Sequence, residues 1–243
     1  MNFVFDLDGT LCFDGKTIDS SIIDALYTLN DAGHTVIFAS ARPIRDLLPL
    51  IPTRFQQGLL VGGNGCFTSV NQQVSATFLD NQIRIQLEKL ITAYKLSYLA
   101  DSDWDFAYTG SLMHPIYHNI DQTSAKNKEL QQLDKICKLV LFNPPYTVID
   151  AIQQLPVTIT PYKTEQAIDI GPLNIHKVAG LHKLDIHDFI AFGNDANDQC
   201  LFEQATYSVC VGNHDVSTYA SIQISKEEVA QTILNVAASY TSQ

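Results

Sequence analysis

Basic residues are scarce in this chain. Fifteen Lys and Arg stand against twenty-six Asp and Glu, a formal net charge of −11. A nucleic-acid partner normally calls for a basic face, so the shortage argues against one, and equally against an anionic membrane surface. It does not argue against a small anionic substrate, because one bound cation inverts the local field. Long apolar runs are missing too. Thr35-Val36-Ile37-Phe38-Ala39 is strand-sized, far short of the roughly 18 residues that span a bilayer. The first residues lack a basic start, and Asp6 and Asp8 interrupt any apolar stretch, so no secretory signal is expected. Cysteine is sparse: Cys12, Cys66, Cys137, Cys200 and Cys210 are odd in number and without CxxC spacing. That pattern excludes a disulfide frame or zinc site and points to thiols in a reducing compartment, the cytoplasm. Repeats and low-complexity tracts are absent. With 46% hydrophobic and 17% charged residues, the chain has the material for a folded core.

What is present is an alternation of strands and helices. Phe3-Val4-Phe5 stops at Asp6; Ile22, Ile23, Leu26 and Leu29 recur at helical spacing, and Ala32-Gly33 ends that helix. Val36 to Ala39 and Leu59-Leu60-Val61 read as buried strands, separated by a helix that Pro43 opens. Such alternation predicts right-handed βαβ units and a Rossmann-like, doubly wound parallel sheet. After about Phe78 the texture changes to a helical pattern, an aromatic region and the strand 138–142; the first texture returns from His176, with strands at 189–192 and 207–211 and a closing helix. The expected organisation is therefore a core of 1–78 and 164–243 carrying an inserted α/β domain, 79–163.

The chemistry concentrates at strand ends. In open α/β sheets ligands bind beyond the carboxyl ends of the strands, which is where Asp6-Leu7-Asp8-Gly9-Thr10 lies. Alternate residues leaving a strand point the same way, so the Asp6 and Asp8 carboxylates come close and favour a shared cation. A hard cation with oxygen ligands fits, and Mg²⁺ is typical where phosphates are handled. Asp6 is placed to attack phosphorus and Asp8 to protonate the leaving alcohol. The alternative is a plain DxDG turn.

Three further segments join it in order: Val36-Ile37-Phe38-Ala39-Ser40-Ala41-Arg42-Pro43, then Lys177 before a helix, then Gly193-Asn194-Asp195-Ala196-Asn197-Asp198. Together the four segments resemble the haloacid dehalogenase superfamily of phosphohydrolases, and within it the Cof-type, sugar-phosphatase-like branch. The resemblance implies a Mg²⁺-dependent phosphatase for a small phosphorylated metabolite, acting through an aspartyl phosphate on Asp6. It puts Ser40 in the phosphate-binding hydroxyl position, and Lys177 beside Asp6 and the phosphate. It puts the metal among Asp6, Asp8, Asn194, Asp195 and Asp198, and Asn64 and Asn197 near the substrate. The inserted domain becomes a cap that selects substrate, with Trp104, Tyr108, His114, Tyr117 and His118 as candidates for its inner face, although any one of the aromatics taken singly reads as core of that domain.

Several alternatives stand beside these roles. Ser40 also suits a helix N-cap, and Arg42 is divided evenly between substrate phosphate and a surface acid. Lys177, on spacing alone, reads as a solvated surface lysine. Gly63-Asn64-Gly65 is equally a hairpin turn. Asn194 departs from the family, which usually has aspartate after that glycine, so the metal set loses a charge. A phosphosugar mutase and a non-catalytic phospho-ligand-binding relative are kept as alternative functions. A second copy of the chain is the one macromolecular partner left open.

Overall fold

A computed structural model describes residues 1–162 and 166–240. The chain runs through β1 (Asn2–Phe5), α1 (Ser20–Asp31), β2 (Thr35–Ala39), α2 (Ile44–Leu47), β3 (Leu60–Gly62), β4 (Phe67–Val70) and β5 (Gln73–Ala76). It continues through α3 (Asn81–Tyr94), β6 (Ser97–Asp101), β7 (Phe106–Tyr108), α4 (Pro115–His118), β8 (Lys138–Phe142), α5 (Tyr146–Gln153), β9 (Val157–Tyr162) and β10 (Ala167–Pro172). Last come α6 (Lys177–Lys183), β11 (Phe189–Gly193), α7 (Gln199–Gln204), β12 (Tyr207–Val211), β13 (Ile222–Ile224) and α8 (Val229–Tyr240). Two compact units result: Met1–Val74 with Lys177–Gln243, and Ser75–His176.

The first unit is built on an eight-stranded sheet in the order β13-β12-β11-β1-β2-β3-β4-β5. From β13 to β3 every pairing is parallel, and β4 joins β3 antiparallel. Parallel strands are covered on both faces and so read as continuous apolar runs. Phe3, Val4 and Phe5 in β1 and Phe189 to Phe192 in β11 are accordingly buried without alternation. Helix α1 buries Ile22, Ala25, Leu26 and Leu29 on one face and packs on α8. Gly33, at φ +86°, takes the left-handed conformation that ends it.

The second unit is a five-stranded antiparallel sheet, β7-β6-β8-β10-β9. On one face, Ile83, Leu87 and Ile91 of α3 and Val148 and Ile152 of α5 join Leu139, Leu141, Ile168 and Ile170 in a single core. The other face carries Leu99, Val140, Phe142 and Ala167 under Tyr108, Ile120 and Trp104. Tyr108 packs on Tyr117, and His114 on Phe142, with ring centroids 4.8 and 4.6 Å apart. Of the named aromatics, Tyr108 is buried there, Trp104, His114 and Tyr117 are half-buried, and His118 is exposed. The expected break between 163 and 164 lies outside the described residues. Because β10 pairs with β8 and β9, this unit runs on to His176.

All five cysteines are free thiols. No helix among the described residues is long and apolar enough to cross a membrane.

Candidate active site

Four neighbouring strands, β11, β1, β2 and β3, lead into the loops that carry the candidate residues other than Lys177, which opens α6. The ladder continues one step past β1 and β2: the Asp6 amide donates to the Phe192 carbonyl at 2.9 Å, and the Ser40 amide to the Val61 carbonyl at 2.9 Å. Beyond Asp6 the chain folds back, with the Leu7 carbonyl accepting from the amides of Thr10, Leu11 and Cys12. Gly9, at φ +81°, supplies the conformation that reversal requires.

Asp6 sits at the centre. Its Oδ1 accepts from Lys177 Nζ at 2.6 Å, and the same ammonium donates to Asp198 Oδ1 at 2.6 Å. Lys177 and Asp198 are wholly buried and Asp6 nearly so. The solvated-lysine reading of Lys177 is thereby overturned. A lysine at the start of α6 opposes the helix dipole; the two carboxylates account for its position. Burial pushes the Asp6 carboxyl up to about 7; Lys177 pulls it down, while Asp198 and Asp8 add to the upward push. For Lys177, burial disfavours the ammonium, but Asp198 and Asp6 outweigh it and hold its pKa above the ordinary value.

On its other side, Asp6 Oδ2 accepts from Thr10 Oγ1 at 3.2 Å. Next to both lies the Asn194 side-chain amide. Its inward-facing atom stands 3.2 Å from Asp6 Oδ2, 3.0 Å from Thr10 Oγ1 and 3.0 Å from the Asp8 carbonyl oxygen. With the amide oxygen turned inward, a carboxylate, a backbone carbonyl and an amide oxygen converge. That hard-oxygen set with one carboxylate suits Mg²⁺, which keeps several of its waters. Among the described residues, no group of three or more His, Cys, Asp or Glu could hold a metal, so an ion here rests partly on uncharged oxygens.

Two of the expected metal ligands stand apart from this set. Asp195 is exposed and its Oδ1 caps the start of the next turn, accepting from the Ala196 amide at 2.7 Å. Asp198 has both oxygens engaged, Oδ1 with Lys177 and Oδ2 with the amides of Asn194 (2.9 Å) and Asp195 (3.2 Å). It holds Lys177 and shapes the loop after β11.

The Asp8 carboxylate pairs with Arg42. Nε donates to Oδ2 at 2.8 Å, Nη2 to Oδ1 at 2.6 Å, and Nη2 also to the Gly15 carbonyl at 2.9 Å. Of the two readings of Arg42, the acid partner is the one found, and that acid belongs to the site itself. Ser40 is buried, with its hydroxyl accepting from the Arg42 amide at 3.1 Å. Asn64, left-handed at φ 55°, donates its amide to the Ser40 carbonyl at 3.0 Å and accepts from Asn197 Nδ2 at 3.0 Å. These two asparagines tie the loops after β3 and β11 together. Sequence reasoning gave Thr10 no role, although its place two residues after Asp8 in a tight turn was the available signal.

A family model for haloacid dehalogenase-like hydrolases matches residues 3–232. The chain is 23% identical to an HMP-PP phosphatase of Yersinia enterocolitica over 232 residues, 86% of this chain and 82% of that one. It is 23% identical to a phosphoglycolate phosphatase of Methanosarcina mazei over 223 residues, 87% and 83% of the two chains. Among solved structures, a subclass IIB sugar phosphatase superposes with a TM-score of 0.80 at 16% identity, covering 98% of both chains. A haloacid dehalogenase-like hydrolase from Bacteroides thetaiotaomicron superposes at 0.79 and 20%, covering 97% and 98%.

Proposed function

The chain belongs to the haloacid dehalogenase-like hydrolase family, and we propose that it is a Mg²⁺-assisted phosphatase of small phosphomonoesters, sugar phosphates first among them, with Asp6 as nucleophile. One observation carries the reading: a nearly buried carboxylate at a strand tip is flanked by a buried lysine on one oxygen and by the Asp8 carbonyl and Asn194 amide beside the other. Phosphoryl transfer asks for a positioned nucleophile, neutralised charge and a proton donor. Lys177 orients Asp6 and supplies positive charge beside the incoming phosphoryl group. The Asp6 carboxylate attacks phosphorus as the bond to the leaving oxygen breaks, and Asp8 gives that oxygen its proton. Asp8 then takes a proton from the water that hydrolyses the aspartyl phosphate. Mg²⁺, held by Asp6, the Asp8 carbonyl and Asn194, would offset phosphoryl charge and let two anions approach. Ser40 is the candidate hydroxyl for a phosphate oxygen. The unit of Ser75–His176 is proposed to select the substrate, and its position as an insertion into the first unit's chain supports this. Five free thiols support a cytoplasmic setting.

The test is a screen of phosphate release across sugar phosphates, nucleotides, phosphoglycolate and a pyrophosphate ester, in Mg²⁺ and in EDTA. Release on at least one ester, lost in EDTA, is expected. Mg²⁺ binding without turnover on any ester would favour the non-catalytic phospho-ligand reading, and a requirement for a bisphosphate activator would favour a mutase.

Arg42 yields a sharper prediction. Its fork holds Asp8 through both oxygens, and a lysine cannot reproduce two parallel bonds. Losing one charged hydrogen bond costs about 1.5–3 kcal/mol, so Arg42→Lys is expected to lower kcat about tenfold or more while KM changes little. A raised KM with unchanged kcat would mean that Arg42 grips substrate phosphate instead.

A further inference from the structure

We propose that Asn194 closes the cation position when no metal is bound, its side-chain amide turning between one orientation for the empty site and another for the loaded one. The inference rests on the Mg²⁺ reading above and concerns what this chain's own residues do without the ion.

The heavy atoms fit both orientations, and the protons decide between them. With Oδ1 inward, the amide meets three oxygens: Asp6 Oδ2 at 3.2 Å, the Asp8 carbonyl at 3.0 Å and Thr10 Oγ1 at 3.0 Å. Only Thr10 brings a proton to that group. Two contacts are then oxygen against oxygen, tolerable only with a cation among them. With Nδ2 inward, the amide donates to Asp6 Oδ2 and to the Asp8 carbonyl, and Thr10 keeps its own bond to Asp6. Every buried polar atom of the group then has a partner, as a metal-free interior demands. The amide thus acts as a neutral stand-in for the cation, and a half-turn about its last bond makes it a ligand.

Two features hold the amide at this spot. The Asn194 backbone amide is fixed by Asp198 Oδ2 at 2.9 Å. On its outer side the side chain packs against bare Gly9, where a Cβ would stand 2.2 Å from the outward amide atom and 2.9 Å from Cγ. An aspartate at 194 would serve the empty site less well, since even when protonated it offers one donor where the amide offers two. When ionised, its carboxylate would face Asp6 Oδ2 and the Asp8 carbonyl as a third acceptor with no proton to offer. Asparagine therefore exchanges metal affinity for a protein that is self-consistent without metal.

The experiment compares the full-length wild type with Asn194→Asp, each in EDTA and in a Mg²⁺ titration, by thermal melting and calorimetry. The aspartate variant should melt several degrees lower in EDTA and regain most of the loss in Mg²⁺. It should also bind Mg²⁺ about tenfold more tightly, through the charge gained on a hard-oxygen ligand. In the wild type, the Asn194 side-chain ¹⁵N–¹H pair, assigned from its own backbone, should shift along the calorimetric Mg²⁺ curve. Equal melting of the two proteins in EDTA would overturn the inference, as would an Asn194 signal that ignores Mg²⁺. If the variant folds under neither condition, the wild-type amide signal alone decides. Absence of phosphate release would sink the phosphatase reading, yet leave both comparisons standing.

Discussion

Asp6→Asn is expected to reduce phosphate release by at least about a thousandfold, equivalent to some 4 kcal/mol of transition-state stabilisation. The magnitude follows from what the amide keeps and what it loses. Asparagine matches the shape of aspartate, so its oxygen still accepts from Lys177, and Asp198 still neutralises that ammonium through its own 2.6 Å contact. The fold should hold, with a melting temperature within a few degrees of the wild type. Only the nucleophilic carboxylate and one negative charge at the strand tip are gone. In a single-turnover quench with labelled substrate, the wild type should carry acid-stable, hydroxylamine-labile label, and the variant none. Turnover equal to wild type would remove Asp6 from the chemistry and with it the whole assignment of the β1 tip.

How much of this site the sequence discloses depends on which contacts are local. Strands β1, β2 and β11 were readable because burial on both faces leaves near-continuous apolar runs, and β12 because only Ser208 interrupts its own. Strand β6 was not: Tyr98 and Ala100 face one core and Leu99 the other, while Asp101 ends the run buried. The three residues of β7 and the polar β5 gave too short or too weak a pattern to mark a strand. At the site, Asp6 and Asp8 stand out by their place at a strand end, whereas Ser40, Lys177 and Asn194 were marked only by the resemblance of the four ordered segments to the family. Their partners are not legible in either way. Asp8 and Arg42 are 34 positions apart, and Lys177 and Asp198 are 21 apart; the parallel pairing of β1 with β2 brings the first pair together, and the packing of α6 on β3 and α7 the second. For the same reason the acidic cluster after β11 looked like three candidate ligands. Backbone amides and Lys177 compete for those carboxylates, and once folded they leave Asp195 a cap and Asp198 a clamp. The backbone carbonyl of Asp8 and the Thr10 hydroxyl were passed over for a further reason, since motif reading attends to charged side chains.

Lys177→Met should destabilise the protein by about 3–5 kcal/mol, the cost of removing one partner from a buried ion pair. The methionine fills most of the volume, so the loss is electrostatic and not a cavity. Without the ammonium, Asp6 Oδ1 and Asp198 Oδ1, each 2.6 Å from Nζ, face each other across an apolar side chain in a site where both are nearly or wholly buried. One of them must take a proton, or the loop after β11 must move. The variant is expected to melt roughly 10 °C lower, at about 2–4 °C per kcal/mol for a chain of this size, and to release no phosphate. Adding Asp198→Asn, which removes one of the two clashing charges, should return part of the stability but none of the activity, because Asp6 still lacks its orienting cation. A double-mutant cycle on chemical denaturation measures that coupling. Lys177→Met as stable as the wild type, or no coupling to Asp198, would show that the buried ammonium does not hold the carboxylates together.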